Sequence, residues 1–284
     1  MDNKGLLLPG PLVSNQWLYV HLDNPNLIVL DGSMNAPVGS SASSGADDLK
    51  IPKTRYFDLD GRFSLPESDL PHMMPSEHQF NLEARKLGIS NGSVIVVYDS
   101  MGIYSSPRIW WMFKAMGHQN VAVLDGGLPK WKEQYPCESA GLVEEYPEGD
   151  FSGKLDTSYF HSASEVLGKI QDTKSCLLDA RSAGRFQGIE PEPRAGLRGG
   201  HIPNALNLPF SSIVRDHQMV PTLELQSIFN DLDLKGKSII FSCGSGLTAC
   251  ILTLGASILG YSELSVYDGS WTEWGRPSGW PLEK

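Results

Sequence analysis

The residue best placed for chemistry in this sequence is Cys243. An apolar run, Ser238–Ser242, ends there, and Cys243-Gly244-Ser245-Gly246-Leu247-Thr248 leads directly into a predicted helix. The two glycines allow the backbone angles of a tight loop. Such a loop turns successive N–H groups inward as an anion-binding nest at a helix N-terminus. A thiol in that nest has its thiolate stabilised by the donors and by the helix dipole, so Cys243 is a candidate nucleophile. The competing reading is an inert core cysteine at a strand end. Phosphoester hydrolysis, which some loops of this shape serve, needs an arginine six residues after the cysteine. That position is Ala249 and the loop contains no arginine, so the clamp for phosphoryl oxygens is missing.

A second constellation is cationic. Arg181, Arg185, Arg194 and Arg198 fall within 18 residues of a chain whose formal net charge is −10. Guanidinium groups present forked donors matched to a carboxylate. Taken singly, each is equally a solvated residue paired locally with Glu190 or Glu192. Pro191 and Pro193 stiffen the approach to Arg194. His78, His118, His161 and His217 are scattered without ligand spacing and no CxxC pair occurs, so no metal is expected. Neither GxGxxG nor GxxxxGK[ST] occurs, so no nucleotide cofactor is implied, and the expected cofactor set is empty. Trp110, Trp111, Trp131, Trp271 and Trp274 read as packing residues, and Cys250, two helical turns past the nucleophile, as buried.

The elements that must hold these residues repeat. Ser93–Trp131 lies over Ser238–Trp274, with Asp99 on Cys243 and Gly102 on Gly246 at one offset, and Asp125-Gly126 on Asp268-Gly269 one residue shorter. Apolar runs at Leu27–Leu30, Val94–Tyr98 and Val121–Leu124, and again at Cys176–Leu178, Ser238–Ser242 and Leu264–Tyr267, read as buried parallel strands. They alternate with helical stretches such as Ser106–Met116 and Thr248–Leu259, the α/β signature. A first domain over 1–138, a polar, acidic linker over 139–157 passing across the surface, and a second domain over 158–284 follow.

Composition narrows the partners. Thirty-three acids against 23 Lys and Arg argue against nucleic acid and anionic membrane. No charge occurs from Ser238 to Ser262, yet its glycines and hydroxyls fit a buried strand and helix better than a membrane span. Four irregularly spaced cysteines and a start without a basic, then apolar, leader point to a reducing cytoplasm.

The loop C-G-S-G-L-T-A resembles the active-site loop of the rhodanese superfamily, and its form is that of the branch that uses 3-mercaptopyruvate. The likeness spans nearly the whole chain. It implies two tandem rhodanese-like α/β domains, each a parallel sheet flanked by helices, with the site in the second domain at the inter-domain cleft. Asp99 at the cysteine position implies a catalytically silent first domain. The resemblance further implies a sulfurtransferase in which Cys243 takes sulfur from 3-mercaptopyruvate, releases pyruvate, and passes its persulfide to a thiol, thioredoxin among them, or to cyanide. It places Arg185 and Arg194 on the substrate's carboxylate and carbonyl, with Gly244, Gly246, Leu247 and Thr248 forming the binding loop, and leaves Arg181 and Arg198 as structural. The stretch Arg55–Asp60 followed by Leu70-Pro71-His72-Met73 is similar to the family's segment that supplies an Asp and a His. Asp60 and His72 would complete a relay with Ser245, with Asp58 and Asp69 as alternatives to Asp60. Neutral Gly244 and Ser245 stand where thiosulfate-using members usually carry cations. Thiosulfate transfer and a non-catalytic sulfur-carrier module are the alternative functions.

Overall fold

In the structure, a computed structural model describing residues 5–34, 49–139 and 145–284, the apolar runs become the interior strands. Val94–Tyr98, Val121–Leu124, Ser238–Ser242 and Leu264–Tyr267 have the predicted bounds, and the other two extend to Leu27–Asp31 and Ser175–Asp179. Val94–Tyr98 is buried at every position, as a strand covered on both faces must be.

Each repeat builds a five-stranded, wholly parallel sheet. The first runs Leu12–Val13, Val121–Leu124, Val94–Tyr98, Leu27–Asp31, Thr54–Tyr56 across the sheet. The second runs Phe160–His161, Leu264–Tyr267, Ser238–Ser242, Ser175–Asp179, Leu206–Asn207. The order is the same, so the repeated sequence is a repeated topology. The edge strands escape a reading by periodicity because each is only two or three residues long.

In each repeat the central strand feeds a loop and then a helix, Ser106–Ala115 in the first and Ala249–Ile258 in the second. These ends lie within a residue of expectation, inside ordinary terminal fraying. The two helices pack against each other between the domains, and one apolar cluster includes Trp110 and Phe113 together with Ile251 and Leu254. This explains the uncharged stretch from Ser238: its strand and helix are both interior. Among the described residues, no helix is long and apolar enough to cross a membrane. Trp110, Trp131, Trp271 and Trp274 are at most 1% exposed and pack the cores.

The inter-domain segment is more firmly held than its polar composition led us to expect. Phe151 is 1% exposed and its ring meets those of Phe80, Phe113 and His118. Arg85 Nε donates to the Phe151 carbonyl at 2.7 Å, and Asn81 exchanges two hydrogen bonds with Gly153. One buried phenylalanine, worth roughly 2 kcal/mol, is enough to anchor a polar run.

Candidate active site

Cys243 is 1% exposed and sits where the central strand of the second sheet runs into its loop. The loop is stapled from behind by the short helix Ser270–Trp274. The Cys243 amide donates to Ser270 Oγ at 3.1 Å, and the amides of Trp271 and Thr272 donate to the carbonyls of Cys243 and Gly244 at 3.0 and 2.8 Å. Thr272 Oγ1 adds a 2.6 Å bond to the Gly244 carbonyl. Ser270 holds a left-handed φ of 49° to make these contacts. With its carbonyls turned backward, the loop leaves its N–H groups forward. Among the described residues, the amides of Gly244 through Ala249 have no protein acceptor.

The first domain shows what such a loop does with an anion. The Asp99 carboxylate, 1% exposed, curls into its own loop and accepts from the amides of Met101, Tyr104, Ser105 and Ser106 at 2.9–3.1 Å, and from Ser106 Oγ at 2.6 Å. The donors that stand open around Cys243 are here filled by a side chain.

Above Cys243 lies a cavity of about 500 Å³ between the domains. The first domain lends Met34, Asp60, His72, Met101 and Tyr104 to its walls; the second lends Arg185, Arg194, Phe210 and the loop residues Gly244, Ser245, Leu247 and Thr248. Gly246 does not line it. A φ of +72° and a carbonyl 3.5 Å from Arg108 Nη1 make Gly246 the residue that turns the loop instead. A methyl group on Gly244 would lie 3.2 Å from Arg185 Nη2 and 4.0 Å from Arg194 Nη1, so both guanidinium groups hang over the loop.

The four arginines are held in four different ways. Arg181 is 1% exposed, pairs with Asp179 at 2.6 Å and Glu192 at 2.8 Å, and lies 4.2 Å over the Trp271 ring. Arg198 donates to the carbonyls of Trp274, Gly275 and Trp280 and so braces the C-terminal turn. Arg185 points into the cavity while Glu192, itself buried, grips it at 2.6 Å. Arg194 makes no ion pair or hydrogen bond among the described residues. Arg181 and Arg185 are balanced by Asp179 and Glu192, so on this wall Arg194 is the cation without a paired acid among the described residues, and Asp60 stands on the wall opposite.

On the opposite wall His72 Nδ1 stands 2.8 Å from Asp60 Oδ1, in an approach too bent to make a hydrogen bond. Such pairs commonly align only when substrate arrives. The two alternatives are engaged elsewhere: Asp58 accepts from the Gly61 amide at 3.0 Å within its own turn, and Asp69 pairs with Arg276 at 2.5 Å. Ser245 lines the same cavity as His72, and no hydrogen bond joins them. Cys250 is fully buried beneath the loop, and burial pushes its thiol up to about 12.

Several residues here left no trace in the sequence reading. Tyr104 reaches the cavity from the first domain's loop, its phenol pushed up to about 12 by burial and then by nearby Cys243, so it offers a neutral hydroxyl. Met34, Met101 and Phe210 form the apolar lining. A motif centred on Cys243 does not reveal residues that only the packing of two domains brings in.

Comparison with known proteins agrees with this geometry. A family model for the Rhodanese-like domain matches twice, over residues 14–134 and 162–276. The 3-mercaptopyruvate sulfurtransferase of Mus musculus is 39% identical over 273 residues, covering 93% of this chain and 91% of its own. The mitochondrial thiosulfate/3-mercaptopyruvate sulfurtransferase 1 of Arabidopsis thaliana is 38% identical, over 96% of this chain and 78% of its own. The crystal structure of the Escherichia coli 3-mercaptopyruvate sulfotransferase SseA superposes with a TM-score of 0.81 at 33% identity, covering 92% of this chain and 99% of that one. With the fold repeated, the family model matched in each half, and relatives this similar over nearly its full length, the chain belongs to the rhodanese family as two tandem rhodanese-like domains.

Proposed function

We propose that this protein is a sulfurtransferase that moves sulfur from 3-mercaptopyruvate to a thiol acceptor, or to cyanide in the laboratory, through a persulfide on Cys243. The observation that carries this reading is one arrangement. Cys243 forms the floor of a cavity whose loop amides are unfilled, whose wall carries Arg185 and Arg194, and whose loop has no cation at positions 244 and 245. Forked guanidinium groups suit the carboxylate and adjoining carbonyl of 3-mercaptopyruvate. The Cys243 thiolate attacks the substrate's sulfur, an S–S bond forms, and the C–S bond breaks to release the enolate of pyruvate. That enolate takes a proton from Ser245, backed by His72 and Asp60, and leaves as pyruvate. An acceptor thiolate then attacks the outer sulfur of the Cys243 persulfide, the S–S bond breaks, and Cys243 leaves as the thiolate that began the cycle. The loop amides stabilise negative charge on the sulfur throughout. Gly244, Leu247 and Thr248 shape the binding surface, and Gly246 acts through the turn.

Relatives named for both thiosulfate and 3-mercaptopyruvate keep thiosulfate as a second donor, and comparing kcat/KM for the two decides the order. We place the domain limits at 138 and 158, a reading supported by family-model matches over 14–134 and 162–276. A small thiol protein such as thioredoxin is the acceptor class we favour. The four cysteines are unpaired, the state a reducing cytoplasm maintains.

The test is intact-mass measurement after incubation with 3-mercaptopyruvate. We expect an adduct of about 32 Da, one sulfur atom, on Cys243, and loss of both adduct and pyruvate release in Cys243→Ser. Substantial pyruvate release by that variant would sink the reading, and absence of any adduct on the unaltered protein would favour a non-catalytic module.

A further inference from the structure

The two repeats clasp each other in a pseudo-symmetric way, and the symmetry breaks at one residue. Asp268, from the D-G pair of the second repeat, accepts the amide of Met74 in the first at 2.8 Å. Asp125, from the D-G pair of the first, accepts the amide of Met219 in the second at 3.0 Å. Both amides belong to an H-x-M turn in which the histidine holds a left-handed φ, 59° at His72 and 70° at His217. Each repeat therefore lays an H-x-M turn over the other's loop: His72 faces the loop of Cys243, and His217 lies against that of Asp99, with its Nδ1 2.9 Å from the Met101 carbonyl.

The exception is Arg108, on the helix Ser106–Ala115. It is fully buried; its Nη2 donates to the His72 carbonyl and to Asp268 Oδ1, both at 2.6 Å, and its Nη1 reaches the Gly246 carbonyl at 3.5 Å. The second repeat has Ile251-Leu252 at the corresponding helix position, so Asp125 holds its turn with no such cation. On that side the turn is held by the Asp125–Met219 bond together with His217 Nδ1 at the Met101 carbonyl and Lys130 on Asp216 at 2.6 Å, none of which grips the histidine's own carbonyl. What Arg108 adds on the armed side is a grip on the backbone of His72 itself, tied to the turn glycine of the Cys243 loop. A histidine backbone in the left-handed region is strained and keeps that conformation only where its surroundings impose it.

We propose that Arg108 is a positioning residue: by bridging the His72 carbonyl, Asp268 and Gly246, it sets the imidazole at the register the proton relay to the departing enolate needs. This rests on the sulfurtransferase reading and its His72 relay. Arg185 and Arg194, which face the substrate, lie on the other wall and are untouched by Arg108.

A double-mutant cycle on the full-length protein with 3-mercaptopyruvate and a thiol acceptor tests it. Arg108→Met should lower kcat about tenfold or more while KM stays within about threefold, because proton transfer by a positioned group contributes roughly 10²–10⁴-fold. On a His72→Ala background the same substitution should change kcat by less than about threefold, since there is no imidazole left to place. Arg108→Lys, which keeps the charge for Asp268 and protects folding, should recover part of the lost kcat. Asp125→Asn, the equivalent lesion on the silent side, should leave kcat within twofold. Unchanged kcat in Arg108→Met and Arg108→Lys, or losses that multiply in full on the His72→Ala background, would overturn the inference and leave the function standing. A normal kcat for His72→Ala would remove the relay and the inference with it, and pyruvate release by Cys243→Ser would remove the underlying function.

Discussion

Glu192 offers a sharp test of how the cavity chooses its anion. Its buried carboxylate holds Arg181 at 2.8 Å and Arg185 at 2.6 Å, so it both orients a substrate-facing cation and cancels its charge. Glu192→Gln keeps the shape and removes the charge. Arg181 retains Asp179 and the Gly200 carbonyl, so the loss of stability should fall below the full 3–5 kcal/mol of a broken buried pair, at about 2 kcal/mol. The cavity meanwhile gains one positive charge. At about 6 Å and an effective dielectric of about 20, one unit charge on the substrate feels roughly 3 kcal/mol. Water in an open cavity screens most of this, and retaining a third leaves about 1 kcal/mol, or fivefold. A dianion carries one charge more than a monoanion, so kcat/KM for thiosulfate relative to 3-mercaptopyruvate should rise about fivefold. The assay is the ratio of kcat/KM for the two donors, alongside thermal unfolding. A ratio unchanged within twofold, or one that moves toward 3-mercaptopyruvate in a folded variant, would refute the view that Glu192 neutralises the site.

Three further outcomes follow from the geometry. Arg185→Ala and Arg194→Ala should each raise KM for 3-mercaptopyruvate at least tenfold, as loss of a charge-assisted bond of about 1.5–3 kcal/mol requires; unchanged KM would place the carboxylate elsewhere. Asp99→Ala strips a buried carboxylate from four backbone amides and should cost about 3 kcal/mol, read as a drop in Tm of roughly 6–12 °C. Cys250, fully buried with its thiol near 12, is almost wholly protonated at pH 8, at roughly one thiolate in 10⁴. Iodoacetamide should therefore leave it unlabelled until the protein is denatured, and rapid native labelling would contradict its placement beneath the loop.

Much of this molecule is legible before folding, for identifiable reasons. A fully buried strand such as Val94–Tyr98 must be apolar along its whole length, so it announces itself. A loop that turns on Gly246 and leads into the helix Ala249–Ile258 must be written as consecutive residues, so Cys243 and its nest can be found in one line of text. Duplication shows because Asp99 and Cys243 begin corresponding loops. The sheet edges do not show, since two residues carry no period, and the anchoring of Phe151 hid in a polar stretch.

Residue order alone fixes two copies of an α/β unit, one cysteine in a glycine loop, and four arginines within 18 residues of an acidic chain. Tertiary structure alone decided how those parts are used. It set Asp60 beside His72 and sent Asp69 to Arg276, a choice made across a distance no spacing encodes. It turned four similar arginines into a buried brace, a turn lock, a charge-neutralised arm and a cation unpaired among the described residues, because their difference lies in which acids and carbonyls surround them. It also brought Tyr104 and Arg108 from the first domain to the Cys243 loop of the second. Hydrophobic patterning dictates which face of an element is buried; only the packing of two domains dictates which polar groups meet at the seam.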